Sequence, residues 1–174
     1  MNLIWIKRDF RTRDHEALSS ALATGDDCLV VWIVEPSLVD HPEMSARHWQ
    51  FTYHSWLEMK RRINEKGGSA ELFYGEAIDV LNTLRPKRIF SHMEVGLEHT
   101  YKRDKKVKSW CSRNGIEWIE FRQQGVTRGR KSRKNWDAEW RSLMLAPKKN
   151  PEWVSAAWYK IDRPAGFDLP EPLE

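Results

Sequence analysis

The sequence predicts an α/β fold: a five-stranded parallel sheet in the order 3-2-1-4-5, helices on both faces, and an irregular Trp-rich C-terminal tail. Three observations carry this expectation. Short apolar runs alternate with stretches of helical period through the first 121 of the 174 residues. The run CLVVWIV at 28–34 is apolar throughout and rich in β-branched residues, as in strands covered on both faces. The intervening stretches are long enough for helical crossovers, which demand parallel strands and right-handed connections.

Asn2–Ile6 is the first strand. Asp14 is placed to cap a helix through Glu16, Ala17, Leu18, Ala21 and Leu22, with Gly25 as its stop. Cys28–Val34 is the second strand. Ser45 caps a long helix that ends near Gly67 and Gly68 and carries Trp49, Tyr53, Trp56 or Leu57, and Ile63 at helical spacing. Ala70–Tyr74 is the third strand and Glu76–Leu84 the third helix, broken by Pro86. Arg88–His92 is the fourth strand, Glu98–Asn114 a helix stopped by Gly115, and Ile116–Phe121 the fifth strand. From Arg122 the rhythm stops. Residues 123–134 are polar and basic, 135–145 form a short helix with Trp136, Trp140 and Leu143, and Pro147 to Glu174 holds five prolines with Trp153 and Trp158. We therefore expect one domain over 1–121 and an extension over 122–174, lying on its own chain or on a partner.

Ten tryptophans are several times the average usage, and such large flat side chains must pack inside or at an interface. Charge is unevenly spread: residues 102–149 hold 15 basic against 5 acidic side chains, within a net charge of +4. Two cysteines, 28 and 111, without CxxC spacing make neither a disulfide framework nor a zinc site. The six histidines show no metal-ligand spacing, and no metal site is expected. No apolar stretch approaches the roughly 18 residues needed to cross a bilayer, and no signal peptide is seen, so the expectation is a cytoplasmic protein without membrane contact.

In an open parallel sheet the ligand crevice lies beyond the carboxyl ends of the strands where the winding reverses, here between the first and fourth strands. The loops there contribute Arg8, Asp9, Arg11 and Glu94. Glu35 and Pro36 follow the second strand, and Arg47 opens the long helix. The arginines suit an anion or a flat ring, and Glu94 suits a ring N–H. A structural alternative for Asp9 is to brace its loop by pairing with an arginine. No GxGxxG, no P-loop and no GxSxG elbow is present, which argues against the usual dinucleotide, nucleoside triphosphate and serine hydrolase sites. The run 128–134, with Arg128, Arg130, Lys131 and Arg133 beside Trp136 and Trp140, suits nucleic acid through phosphate contact and base stacking. It equally suits a solvated loop docked on an acidic surface of its own protein.

Trp5-Ile6-Lys7-Arg8-Asp9-Phe10-Arg11 followed by Asp14-His15-Glu16-Ala17-Leu18 resembles the N-terminal signature of DNA photolyases and cryptochromes. Further matches follow in order: Glu35-Pro36, Ser45-Ala46-Arg47-His48, Gly75-Glu76, Ser91-His92-Met93-Glu94-Val95-Gly96, Tyr101-Lys102-Arg103-Asp104, Gln124-Gly125-Val126 with Arg128, Ser132-Arg133, and Trp136, Trp140 and Met144. The resemblance extends to about Pro147. Phe10 departs from the usual leucine, His15 from the usual asparagine, and Gly129-Arg130 from the usual basic stretch.

The resemblance implies a Rossmann-like α/β half of a two-domain blue-light flavoprotein. The other half would be a helical domain holding FAD, binding damaged DNA and carrying the repair or signalling chemistry. It is not expected within 174 residues, so no catalytic residue is assigned here. The α/β half in this family often holds a light-harvesting antenna, methenyltetrahydrofolate or 8-hydroxy-5-deazaflavin. The matching antenna positions are Glu35, Pro36, Arg47, Glu94, Val95 and Gly96. Expected partners are the helical FAD-binding domain and, through it, damaged DNA, with self-association when that domain is missing. The alternatives are a stand-alone nucleotide- or ligand-binding module, or a nucleic-acid-binding protein acting through residues 128–134.

Overall fold

The structure, a computed structural model, describes residues 1–162. Five strands, β1 (Asn2–Ile6), β2 (Cys28–Val34), β3 (Ala70–Tyr74), β4 (Arg88–His92) and β5 (Glu117–Phe121), form one parallel sheet. Their order is β3-β2-β1-β4-β5, as the alternation of periods requires. Among the described residues six helices accompany them: α1 (Glu16–Leu22), α2 (Pro36–Val39), α3 (Ala46–Asn64), α4 (Ala77–Leu84), α5 (Glu98–Asn114) and α6 (Trp136–Met144).

Strand periodicity divides the apolar residues between two cores. Ile4, Ile6, Val30, Trp32 and Val34 face α1 and α3. Leu3, Trp5, Leu29, Val31 and Ile33 face α4 and α5. Every residue of β1 and β2 is buried, which is why those sequences, Asn2 apart, read as unbroken apolar runs. Each fully buried Leu, Ile or Phe contributes about 1.5–3 kcal/mol relative to exposure.

Two local readings are corrected. The N-cap of α1 is His15, whose ring accepts the Leu18 N–H, and not Asp14. Asp14 instead takes a left-handed conformation at φ +48° and its carboxylate accepts the Lys149 N–H. The four-residue helix α2, with Pro36 in its first turn, was not expected. Ser45 caps α3, and Gly115 ends α5 at φ +66°, as expected.

The segment beyond α6 lies on its own chain. Asp14 and Ser19 bind Asn150, and the His15 N–H donates to the Lys149 carbonyl. Trp153 and Trp158 stack with ring centroids 6.2 Å apart and pack against the α1/α3 core. Trp158 bridges Cys28 in parallel: the Cys28 N–H donates to Ala157 and its carbonyl accepts from Tyr159. Pro164, Pro170 and Pro172 lie outside the described residues.

Candidate functional site

A cavity of about 420 Å³ opens beyond the carboxyl ends of β1 and β2, roofed by α2 and the first turns of α3 and flanked by the loop after β4. Its walls are rings and aliphatic chains: Trp5, Phe10, Trp32, Leu38, Met44, Trp49 and Phe51. Polar groups from Arg8, Glu43, His48, Thr52, Glu94 and Arg103 also reach it. This is the composition of a small-molecule site, mostly apolar with a few placed polar groups.

The aromatic wall is held by its own packing. Phe10 meets Trp32 edge-on at 5.2 Å between centroids, and Trp32 contacts Trp56 at 5.9 Å and Trp49 at 6.4 Å. Periodicity along α3 reads Trp49, Trp56 and Ile63 as core, and they are buried. The first turns of α3 overhang the end of the sheet, so the same face becomes a cavity wall at Trp49.

The space between β1 and β4, where the winding reverses, is filled by charge. Lys7 Nζ lies 3.2 Å from Asp104 and 3.7 Å from Glu120, between the rings of Trp5 and Trp118. Arg103 pairs with Glu35 at 2.7 Å, Glu94 at 2.6 Å and Asp104 at 2.9 Å. Burial pushes the Glu35 carboxyl up despite the Arg103 charge. The Asp104 carboxyl feels the same upward push, but Lys7, Arg103 and Arg128 overcome it and hold it low. The cavity is therefore displaced from the reversal point toward β2 and α3.

A second buried cluster braces the loop after β1. Asp9 accepts the Lys7 and Arg8 backbone N–H groups on one oxygen. His92 Nδ1 at 2.6 Å and His15 Nε2 at 2.9 Å meet the other. Asp9 thus braces its loop, but against two imidazoles and not an arginine. These three side chains have metal-ligand geometry on distance alone. However, His15 Nδ1 accepts the Leu18 N–H, so in the neutral ring Nε2 carries the proton and faces the Asp9 carboxylate at 2.9 Å, not free to hold an ion.

The expected site residues divide. Arg8 and Glu94 line the cavity and pair with each other at 3.0 Å. Gly96 lies under the Arg8 guanidinium, where a Cβ would stand 3.6 Å from Nη1. Glu35 is buried behind the cavity on Arg103, Pro36 opens α2, Val95 is half-buried, and Arg47 is exposed on α3. Arg11 binds the Asp14 carbonyl and Gln123. In the basic run, Arg128 binds Glu120, Asp104 and the Glu94 carbonyl, and Arg130 binds Glu139. Lys131 and Arg133 are exposed. Trp49, Met44, Glu43 and His48 were missed as site residues, although the Trp49 periodicity was visible.

A family model described as DNA photolyase matches residues 2–137. The chain belongs to the DNA photolyase family. Its fold is that of solved photolyases: an archaeal photolyase from Sulfolobus tokodaii superposes with a TM-score of 0.74 at 24% identity, over 93% of this chain and 39% of that one. A bacterial class III photolyase from Agrobacterium tumefaciens gives 0.67 at 20% identity, over 99% and 37%. Among curated relatives, a cryptochrome DASH of Oryza sativa subsp. japonica is 25% identical over 138 residues, 75% of this chain and 23% of that protein. A deoxyribodipyrimidine photo-lyase of Vibrio cholerae is 23% identical over 131 residues, 70% and 27%. The chain thus spans about a quarter of the length of these curated relatives and corresponds to the N-terminal α/β domain of the photolyase family. No helix among the described residues is long and apolar enough to cross a membrane.

Proposed function

We propose that this domain is the light-harvesting, cofactor-binding half of a photolyase or cryptochrome-like flavoprotein, and that the cavity above β1 and β2 holds its antenna chromophore. The observation that carries this is the aromatic wall of Phe10, Trp32, Trp49 and Phe51 around a space of about 420 Å³. Such a wall fits a flat conjugated ring, and the cations that line the cavity, Lys7, Arg8 and Arg103, are each paired with a carboxylate. The Sulfolobus tokodaii photolyase, whose fold this chain shares, is described with two FAD molecules and the implication of a novel light-harvesting cofactor, which supports a second chromophore in a protein of this family. Methenyltetrahydrofolate and 8-hydroxy-5-deazaflavin are the antenna candidates. When bound, the chromophore supplies near-ultraviolet or blue absorption; the chain's residues bind it, orient it and exclude water. FAD, damaged DNA and the carbon–carbon lyase or signalling step belong to a helical FAD-binding domain, the partner of this one.

The test is spectroscopic. The purified chain is mixed with each candidate and passed through gel filtration, and absorption above 350 nm is followed (a range set on the order of the flavin and pterin bands, outside Trp absorption). One candidate is expected to co-elute with the chain, and Thr52→Trp, which fills the cavity, is expected to abolish uptake. Co-elution of none would refute the antenna reading.

A further inference from the structure

We infer that His15 is an acid-sensitive latch: taking up a proton at Nδ1 breaks the cap of α1 and frees the tail segment 148–150, which is strapped across the start of that helix.

The strap is anchored within one short stretch. The Asp14 N–H donates to Asn150 Oδ1 at 3.1 Å, and the Asp14 carboxylate accepts the Lys149 N–H at 3.0 Å. The His15 N–H donates to the Lys149 carbonyl at 2.8 Å, and the Ser19 hydroxyl to the Asn150 carbonyl at 3.3 Å. All these anchors lie in residues 14–19, the turn that His15 caps by accepting the Leu18 N–H at 3.1 Å. Asp14 is held there at φ +48°, a left-handed conformation whose strain relaxes when the strap lets go.

The cap works in one protonation state alone. Neutral His15 keeps a lone pair on Nδ1 for Leu18 and its proton on Nε2, facing Asp9 at 2.9 Å. The imidazolium carries N–H groups on both nitrogens. Its Nδ1–H then confronts the Leu18 N–H, donor against donor, at a side chain with no exposed surface and no water to bridge the pair. The charged and titratable groups that face the ring are Asp9 and Arg11 from the loop after β1 and His92 from β4. Asp9 favours the proton, while burial, His92 and Arg11 oppose it, with burial the largest effect. The ring is therefore neutral while the turn is closed and gains its proton as the turn opens, so acid drives the opening. Trp153 and Trp158 hold the later tail by ring packing, which acid leaves alone, so the release is local to the strap.

The experiment uses the full chain and amide exchange read residue by residue, corrected for the intrinsic acid dependence of exchange. Between about pH 7.5 and about pH 5.5, protection at His15, Leu18 and Lys149 is expected to fall about tenfold, the opening that one histidine of ordinary pKa confers once exposed. Amides of β2 and β4 are expected to keep their protection. His15→Asn, which caps through an oxygen that does not titrate, is expected to show no such fall. A measurement on wild type needs no variant to fold: the ¹⁵N shifts of the His15 ring follow protonation of Nδ1, and their midpoint is expected to coincide with the loss of protection at Lys149. The latch is overturned if protection at the strap does not change with pH, if the sheet loses protection equally, if His15→Asn shows the same fall, or if the two midpoints differ.

Discussion

His15 shows how much one side chain can do when it is fully buried. It caps α1 through Nδ1 and meets Asp9 through Nε2, tying the loop after β1 to helix and sheet at once. Burial lowers the His15 pKa below 6.5, against the raising effect of Asp9. Burial pushes the Asp9 carboxyl up, but the hydrogen bonds from His15 and His92 prevail and hold it well below 3.8. Both groups bind protons more weakly in the folded state, so their stabilisation is complete above the unfolded values and is lost as pH falls. Stability is therefore expected to decline in two stages, first below about pH 6.5 through His15 and then below about 3.8 through Asp9. His15→Asn keeps an oxygen to cap α1; it is expected to cost about 1–2 kcal/mol near pH 7.5. It should also remove the first stage, so that urea midpoints at pH 7 and pH 5.5 converge. Asp9→Ala leaves two imidazoles and two backbone N–H groups facing an empty space and is expected to cost about 3–5 kcal/mol in the same assay. The bracing role of Asp9 was legible in the sequence, but its histidine partners were not. Residues 9, 15 and 92 show no metal or catalytic spacing; the parallel pairing of β1 with β4 brings His92 to the loop after β1, and the start of α1 brings His15.

At the level of elements the sequence was far more transparent. The bounds of β1 to β4 and of α5 follow directly from β-branched runs, helical period and glycine stops. Charge was opaque. Arg103 on α5 falls within the basic stretch 102–149, yet it is 10% exposed and neutralises Glu35 and Glu94 from two other segments. The helix α6 is the reverse case: it was expected and it forms, but none of its residues is fully buried. It is held by its two rings: Trp136 and Trp140 stack at 6.2 Å and close over Gly125. A Cβ at Gly125 would stand 2.5 Å from Trp140 Cδ1 and 3.2 Å from Trp136 Cζ2. Gly125→Ala is therefore expected to undock α6, seen as faster amide exchange over 136–144 and red-shifted tryptophan emission. The sheet, which α6 does not support, should lose less than about 1 kcal/mol.

For the whole molecule, the segment beyond α6 matters most. A Trp- and Pro-rich tail reads as a linker, and composition gives no hint that it pairs with β2, because a single isolated bridge has no periodic signature. Trp158 packs on the α1/α3 core, and its neighbours Ala157 and Tyr159 complete the hydrogen bonds of Cys28. Trp158→Ala is expected to lower the unfolding free energy by about 2–4 kcal/mol, read from the denaturant midpoint at constant slope. An unchanged midpoint would show that the tail is ornamental. The same bridge also sets an order of events during synthesis. Cys28 and Tyr159 are separated by about 130 residues, which a ribosome adds in roughly ten seconds. Through that interval the N-terminal end of β2 has water in place of its final partner, so a nascent chain presents an unfinished strand edge until residues 157–159 emerge.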